Sequence, residues 1–302
     1  MSCRTLVIVL SETRASELTF ENFQKNVLQQ LDADLCVCIG IKENYDFTNS
    51  FYRTAKYCFE YPEPEDYACA FNFATKCIME ASGKEPEQHW KKFLKVKDQF
   101  MGGIKDPRHQ HPGSAGILIF FRWFLMKNLL EHSLLEKYDR FVITRSDYIY
   151  KIPHCPIDLL DPSCIWIPDS EGYGGYTDRH VVLSKDNIIP YLNILNNMTL
   201  RSTEYLEKMK KYNKWNLEKL IKFHLSMNGV QDRVRAFPYV MYAVRNVDGT
   251  TRWSSGKFNK ELGYFIKYQS EYDISEKYKT ECESKYNSEL NAFYREKINA
   301  LI

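Results

Sequence analysis

Three short stretches of this chain carry residues suited to phosphate and proton-transfer chemistry. The first is Arg145-Ser146-Asp147, which follows the β-rich run Phe141-Val-Ile-Thr144 directly. Such a run reads as a buried strand, so it sets a carboxylate at a strand's C-terminal end, where open α/β sheets collect their ligands. A carboxylate beside a guanidinium and a hydroxyl suits a hard divalent cation, Mg²⁺ or Mn²⁺, bound to a phosphate. Asp147 is therefore the expected metal ligand, with Arg145 and Ser146 beside it. The second stretch is Gly172-Tyr173-Gly174-Gly175-Tyr176, leading into Asp178-Arg179-His180. Glycines let backbone approach a ligand closely, and Asp178 and His180 add a carboxylate and an imidazole. The third is Glu218, in the first turn of a helix capped by Asn216. The helix dipole favours a carboxylate there, and the same group is placed to act as a general base.

These residues need elements to position them. Leu6 to Leu10 reads as a first strand, buried on both faces, and ends in the polar loop Ser11-Glu12-Thr13-Arg14. In a nucleotide-binding α/β half this loop meets the base or ribose, and Arg14 is placed to reach a phosphate. A helix over about 18–31 and a second strand over 34–41 complete a βαβ unit, which implies a parallel sheet with a right-handed crossover. Further strands are expected around 56–61, 141–144, 164–168 and 236–245. Helices are expected over 66–82, 86–98, 114–135, 184–195, 217–227 and in the charged tail, 270–302. Pro- and Gly-punctuated residues 101–113 read as a loop. No GxGxxG and no GxxxxGK[ST] occurs, so the dinucleotide fingerprint and the P-loop are both missing.

Composition narrows the class. The 302 residues are 44% hydrophobic and 26% charged, as in folded globular chains. The net charge of +2 excludes a nucleic-acid-binding polycation. Nine cysteines are scattered without a CxxC pair, so a zinc ribbon or thioredoxin motif is excluded and reduced thiols in a reducing compartment are expected. The apolar start, Leu6 to Leu10, is too short for a signal-peptide core or a membrane span, which makes a cytoplasmic protein the expectation.

Taken in order, the pieces resemble a GT-A-type glycosyltransferase. The pattern is a strand, Arg145-Ser146-Asp147, then Trp166-Ile-Pro168, the glycine-rich loop, Asp178-Arg179-His180, and a later helix opening with Glu218. It is similar to polysaccharide-building transferases of bacteria and large DNA viruses. The metal motif has one Asp where the family carries Asp-x-Asp. The resemblance implies a GT-A-like, Rossmann-type, mostly parallel sheet flanked by helices, in one domain over 1–269. Residues 1–150 would form its nucleotide-sugar half, 151–269 its acceptor half, and 270–302 a helical C-terminal extension. It implies a hexosyl- or pentosyltransferase, moving sugar from a UDP- or GDP-linked donor to a glycan hydroxyl with Mn²⁺ or Mg²⁺. Ser11, Glu12, Thr13, Arg14, Arg145, Ser146 and Asp147 would hold the donor. Trp166, Tyr173, Gly174, Gly175 and Tyr176 would meet the acceptor, and Asp178, Glu218 or His180 would take its proton. On this reading Asp147→Asn abolishes transfer and leaves the fold intact. Two rivals stay open: another nucleotide-dependent transferase or hydrolase, and a non-catalytic carbohydrate-binding or scaffolding module.

Overall fold

A computed structural model describes residues 3–96, 100–106, 109–110, 113–247 and 254–301. The chain opens with β1 (Thr5–Ser11), α1 (Ser16–Phe23), β2 (Ala33–Ile41), α2 (Ser50–Thr54) and β3 (Tyr57–Pro62). Helix α3 (Tyr67–Ser82), a short 3₁₀ turn over Trp90–Lys95 and the ribbon β4 (Lys105–Asp106) with β5 (His109–Gln110) follow. Next come α4 (Ala115–Glu131), α5 (Leu134–Lys137), β6 (Arg140–Thr144), β7 (Tyr148–Tyr150), β8 (Ile165–Pro168) and β9 (Val181–Ser184). Helices α6 (Lys185–Leu192), α7 (Ile194–Leu200), α8 (Ser202–Met209) and α9 (Leu217–Met227) lead to β10 (Val234–Phe237) and β11 (Met241–Arg245). The chain closes with β12 (Lys257–Asn259), β13 (Tyr264–Ile266), α10 (Gln269–Tyr286) and α11 (Leu290–Leu301).

The main sheet has seven strands in the order β10-β8-β9-β6-β1-β2-β3. All its pairings are parallel except those of β9, which runs against both β6 and β8. This is the expected mixed, mostly parallel α/β sheet flanked by helices. From β1 the chain first winds outward to β2 and β3, then returns to place β6 on the other side of β1. The sheet's topological switch point therefore lies between β1 and β6, and the crevice for a ligand opens at their C-terminal ends. Ser11 and Thr144 are the last residues of those two strands.

Strand alternation builds the two faces of the core. Leu6, Ile8 and Leu10 of β1 bury into one cluster, with Cys36 and Cys38 of β2 on the same face. Val7 and Val9 bury on the other face with Leu35, Val37 and Ile39. Helix α4 is apolar around most of its first three turns, which lie inside the first cluster, and turns polar toward its exposed end at Leu130 and Glu131. No helix among the described residues is long and apolar enough to cross a membrane.

A second, four-stranded sheet, β12-β13-β11-β7, stands beside the first. Its existence corrects the single strand expected over 236–245. Pro238 has no N–H to give a ladder, and the run divides there: β10 joins the main sheet and β11 pairs with β7 and β13. Of the helix expected over 86–98, residues 97 and 98 lie outside the described residues and the rest form only the 3₁₀ turn, and the helix expected over 184–195 breaks at Asn193 into α6 and α7. The tail forms α10 and α11, which deliver Cys282, Phe293, Tyr294 and Ile298 to the second core cluster.

Candidate functional site

The crevice at the switch point is one cleft with two chambers. The inner chamber is lined by Ser11, Glu12, Arg14, Glu63, Ser146 and Asp147, among others. The outer chamber, about 330 Å³, is lined by Tyr173, Asp178, Arg179, Asn216, Glu218 and Tyr268, among others. Arg145, Lys267, Ser114 and Leu118 face both, so the chambers are continuous.

The small sheet explains the inner chamber. Arg145-Ser146-Asp147 is the bridge from β6 of one sheet to β7 of the other. The Asp147 carbonyl accepts a hydrogen bond from the Val244 N–H at 2.9 Å, which anchors the bridge to β11. Its carboxylate is fully buried and takes a fork from Arg145, Nε to Oδ1 and Nη2 to Oδ2, both at 2.7 Å. Arg245, the last residue of β11, also donates to Oδ2. Burial alone would raise the Asp147 pKa. Arg145 and Arg245 outweigh it and hold the carboxyl well below its usual range. Lys267 follows β13 and is tied to β11 through its own N–H, which donates to the Ala243 carbonyl at 2.9 Å. Burial and the charges of Arg145 and Arg245 push its pKa down to about 6.

As it stands, this donor set does not fit a divalent cation, because the carboxylate expected to hold the metal is committed to arginines. Both Asp147 oxygens are taken by guanidinium donors. Glu12 is paired with Arg14, Nε to Oε2 at 2.6 Å, and with Lys42 at 3.3 Å. Glu63 lies 3.7 Å from the same Lys42. No group of three His, Cys, Asp or Glu among the described residues is placed to hold a metal ion.

Ser146 is a clip for the loop after β1. Its hydroxyl accepts from the Arg14 N–H at 2.7 Å and lies 3.1 Å from the Glu12 and Arg14 carbonyls. The clip holds a loop that leaves β1 with Ser11 in the left-handed region, φ 78°, where a side chain is strained. Ser11, Glu12 and Arg14 thereby face the cleft, as expected of donor-binding residues. Thr13 does not line the cleft: its hydroxyl pairs with that of Tyr45 at 2.8 Å.

The outer chamber brings the glycine-rich loop and Glu218 together. Asn216 Oδ1 caps α9, accepting from the Lys219 N–H at 2.9 Å, while its Nδ2 donates to the Tyr173 carbonyl at 3.1 Å. The Tyr176 N–H donates to the Glu218 carbonyl at 3.1 Å. A Cβ on Gly175 would sit 2.0 Å from that carbonyl oxygen. The glycine is thus required by packing on α9 rather than by a ligand. Burial raises the Glu218 pKa to about 7, with the Asp178 carboxylate adding to the effect. The Asp178 main chain is fixed by buried Arg122, whose Nη2 donates to its carbonyl at 2.8 Å. Arg179 is buried, pairs with buried Glu271 of α10, and lies 4.9 Å from the Tyr268 ring centre and 5.9 Å from that of Tyr173. Tyr173 itself has φ 44°, a left-handed backbone that sets its ring at the cleft wall.

No protein-family model matches the sequence, and no curated protein matches it. Among solved structures the chain is similar to mouse xyloside xylosyltransferase 1 in its apo form. The likeness has a TM-score of 0.34 and 11% identity, covering 78% of this chain and 85% of that one. A likeness at that level carries no weight on function, which rests here on the cleft alone.

Four residues expected at the site fall away from the cleft. His180 is fully buried, with Nδ1 on the Thr144 hydroxyl at 2.9 Å and Nε2 against His154 Nε2 at 3.1 Å. Burial, with His154 adding to it, drives its pKa well below the usual value, which corrects its assignment as an acceptor base. Trp166 is core, its indole N–H donating to the Asp161 carbonyl at 2.8 Å, so it meets no acceptor. Tyr176 packs on the core with Lys222 5.6 Å from its ring centre, and Gly174 faces a neighbouring groove rather than the cleft. Arg245, Lys267, Tyr268, Glu271 and Ser114 were not legible as site residues. The first four reach the site through a second sheet and a C-terminal helix that no local motif announces.

Proposed function

We propose that the chain is a glycosyltransferase, moving a sugar from a nucleoside-diphosphate donor to a glycan hydroxyl. One observation carries the reading: a chamber where Arg145, Lys267 and Arg14 converge opens directly into a chamber holding a carboxylate whose pKa is raised to about 7. The first is suited to a diphosphate, the second to deprotonating an alcohol, and the two share Arg145 and Lys267 as a common wall. Glycosyl transfer from a nucleoside diphosphate needs those two functions side by side.

In this reading the donor's nucleoside lies against the loop Ser11 to Arg14, with its diphosphate toward Arg145 and Lys267. Helix α4 presents its N-terminal end to the same place. Ser114, at its N-cap position, lines both chambers and makes no side-chain cap bond, which leaves the positive end of the helix dipole facing the leaving group. Charge developing on the departing diphosphate is met by these fixed groups, which need no reorganisation. Glu218 takes the proton of the acceptor hydroxyl as that oxygen attacks the anomeric carbon. Tyr173 and Tyr268 form an aromatic wall for the acceptor sugar. The ordered motifs' resemblance to polysaccharide-building transferases is in keeping with a glycan acceptor.

The test is a panel of UDP- and GDP-sugars scored for slow release of UDP or GDP without acceptor. Release from one donor, accelerated by a glycan acceptor and lost in Glu218→Gln only for the acceptor-dependent part, is the expected result. A panel with neither release nor binding would sink the proposal in favour of a non-catalytic module.

A further inference from the structure

We infer that the nucleoside diphosphate is held by cationic side chains of this chain, with Lys267 and Arg145 standing where a divalent metal would otherwise neutralise it. The inference rests on the transferase reading and specifies how its donor is recognised.

The argument begins with charge already spent. Every carboxylate lining the inner chamber has a cation at hand: Glu12 has Arg14 and Lys42, Glu63 has Lys42, and Asp147 has Arg145 and Arg245. Mg²⁺ demands near-octahedral oxygen ligation. A cation on the remaining lone pair of Asp147 would sit against the Arg145 and Arg245 guanidiniums, and to displace either it would have to take away part of that arginine's counterion. That exchange exposes buried charge, which is costly.

The same residues are well arranged for an anion. Asp147 is one carboxylate between the Arg145 and Arg245 guanidiniums, so the local balance is positive even with Lys267 neutral, and an arriving phosphate would favour the protonated Lys267 that burial and the two arginines disfavour. Lys267 makes no ion pair among the described residues, yet it faces both chambers. Arg179 faces the outer chamber with its Nη2 buried and without a hydrogen-bond partner. Buried donors of this kind are seldom left unsatisfied. A phosphate oxygen at the junction of the chambers would supply the acceptor that the protein withholds. Asp147 then serves as a positioning residue. It holds the Arg145 fork in a fixed plane, and Arg and Lys clamps of this kind stabilise phosphoryl leaving groups.

The experiment is calorimetric titration of the full chain with UDP, GDP and inorganic pyrophosphate, each in EDTA and in Mn²⁺. The expected result is that at least one probe binds in EDTA, with an affinity about equal to that in Mn²⁺. Lys267→Gln weakens it about 10- to 100-fold, the range for a lost charged hydrogen bond, and Lys267→Arg restores most of it. Thermal melts of both variants establish that they are folded. Should Lys267→Gln not fold, Lys267→Met and the Arg variant carry the comparison. Binding seen only with Mn²⁺ overturns the inference and leaves the transferase reading standing. Binding in EDTA that ignores Lys267→Gln overturns the assignment to this cluster. No binding of any probe in either condition overturns the inference and the transferase reading together.

Discussion

The two chambers of the cleft use the same residue types to opposite ends. In the inner chamber each carboxylate is locked to a cation, so its charge is fixed and its role is to hold arginines in place. In the outer chamber Glu218 forms no ion pair among the described residues, and burial with a neighbouring carboxylate lifts its pKa to about 7. A carboxylate becomes a structural clamp when its partner is built into the fold. It becomes a proton acceptor when the fold removes water and supplies no partner. Asp147 and Glu218 are the clearest contrast: the sequence offered the first as a metal ligand and the second as a general base, and the structure holds the first between arginines.

The largest expected effect breaks the outer half of this contrast. Glu218→Gln should lower kcat/KM for acceptor-dependent transfer by about 10²- to 10⁴-fold, the usual contribution of a general base. In the parent, kcat/KM should rise with pH through about 7 as Glu218 loses its proton, and this limb should vanish in the variant. The stability sign runs the other way. Glu218's folded pKa, about 7, lies above the ordinary 4.5, so its contribution is fully present below about pH 4.5 and is lost as pH rises through 7. Glu218→Gln should therefore unfold no more readily than the parent at pH 8. A urea melt at that pH showing marked destabilisation would turn Glu218 into a structural residue.

The inner half breaks in stability first. Asp147→Asn strands the buried Arg245 and the partly exposed Arg145, and removing one partner of a buried pair costs about 3–5 kcal/mol. A drop in the urea midpoint should accompany any loss of activity. A true metal ligand would behave differently: its Asn variant would fold as well as the parent and lose only Mn²⁺ response. Measuring both melt and metal dependence on one variant separates the two roles.

The loop that joins the chambers gives an intermediate effect. In Gly175→Ala the new methyl would meet the Glu218 carbonyl within 2.0 Å. The loop or the start of α9 must move, at a cost of about 1–3 kcal/mol by analogy with overpacked cores. Acceptor kinetics should suffer more than donor binding, because the displaced atoms belong to the outer chamber. Equal loss in both would mean that the loop also shapes the donor site.

Much of this arrangement was written locally, and the rest was written in topology. Short, near-continuous apolar runs gave β1, β2 and β6, and the crevice followed from their order. Asn216 announced its cap, and Glu218 was placed by it. What no window of sequence contains is the turn of the chain at Pro238. That turn sends β11 to a second sheet and carries Arg245 and Lys267 back to Asp147 from about a hundred residues away. A carboxylate at a strand end looks the same on paper whether its partner is a metal or a distant arginine. Likewise Asp178-Arg179-His180 reads as one catalytic run, yet the chain bends there before β9 begins, and the bend separates the side chains. Asp178 faces the cleft, and His180 turns into the interior toward His154.

The smallest effect is the sharpest test of where the cleft ends. Tyr173 and Tyr176 flank the same pair of glycines and were equivalent as acceptor-binding candidates. The structure separates them: Tyr173 stands 47% exposed at the outer chamber, and Tyr176 packs on the core beside Lys222. Removing an aromatic face that meets a ligand is worth about 0.5–1.5 kcal/mol, so Tyr173→Ala should raise the acceptor KM by about 2- to 13-fold with donor hydrolysis unchanged. Tyr176→Ala should move acceptor KM by less than about twofold, any deficit appearing as lost thermal stability instead. If the two variants raised acceptor KM alike, the acceptor would have to extend past the glycines to Lys222, and the outer chamber would be only the first part of its track.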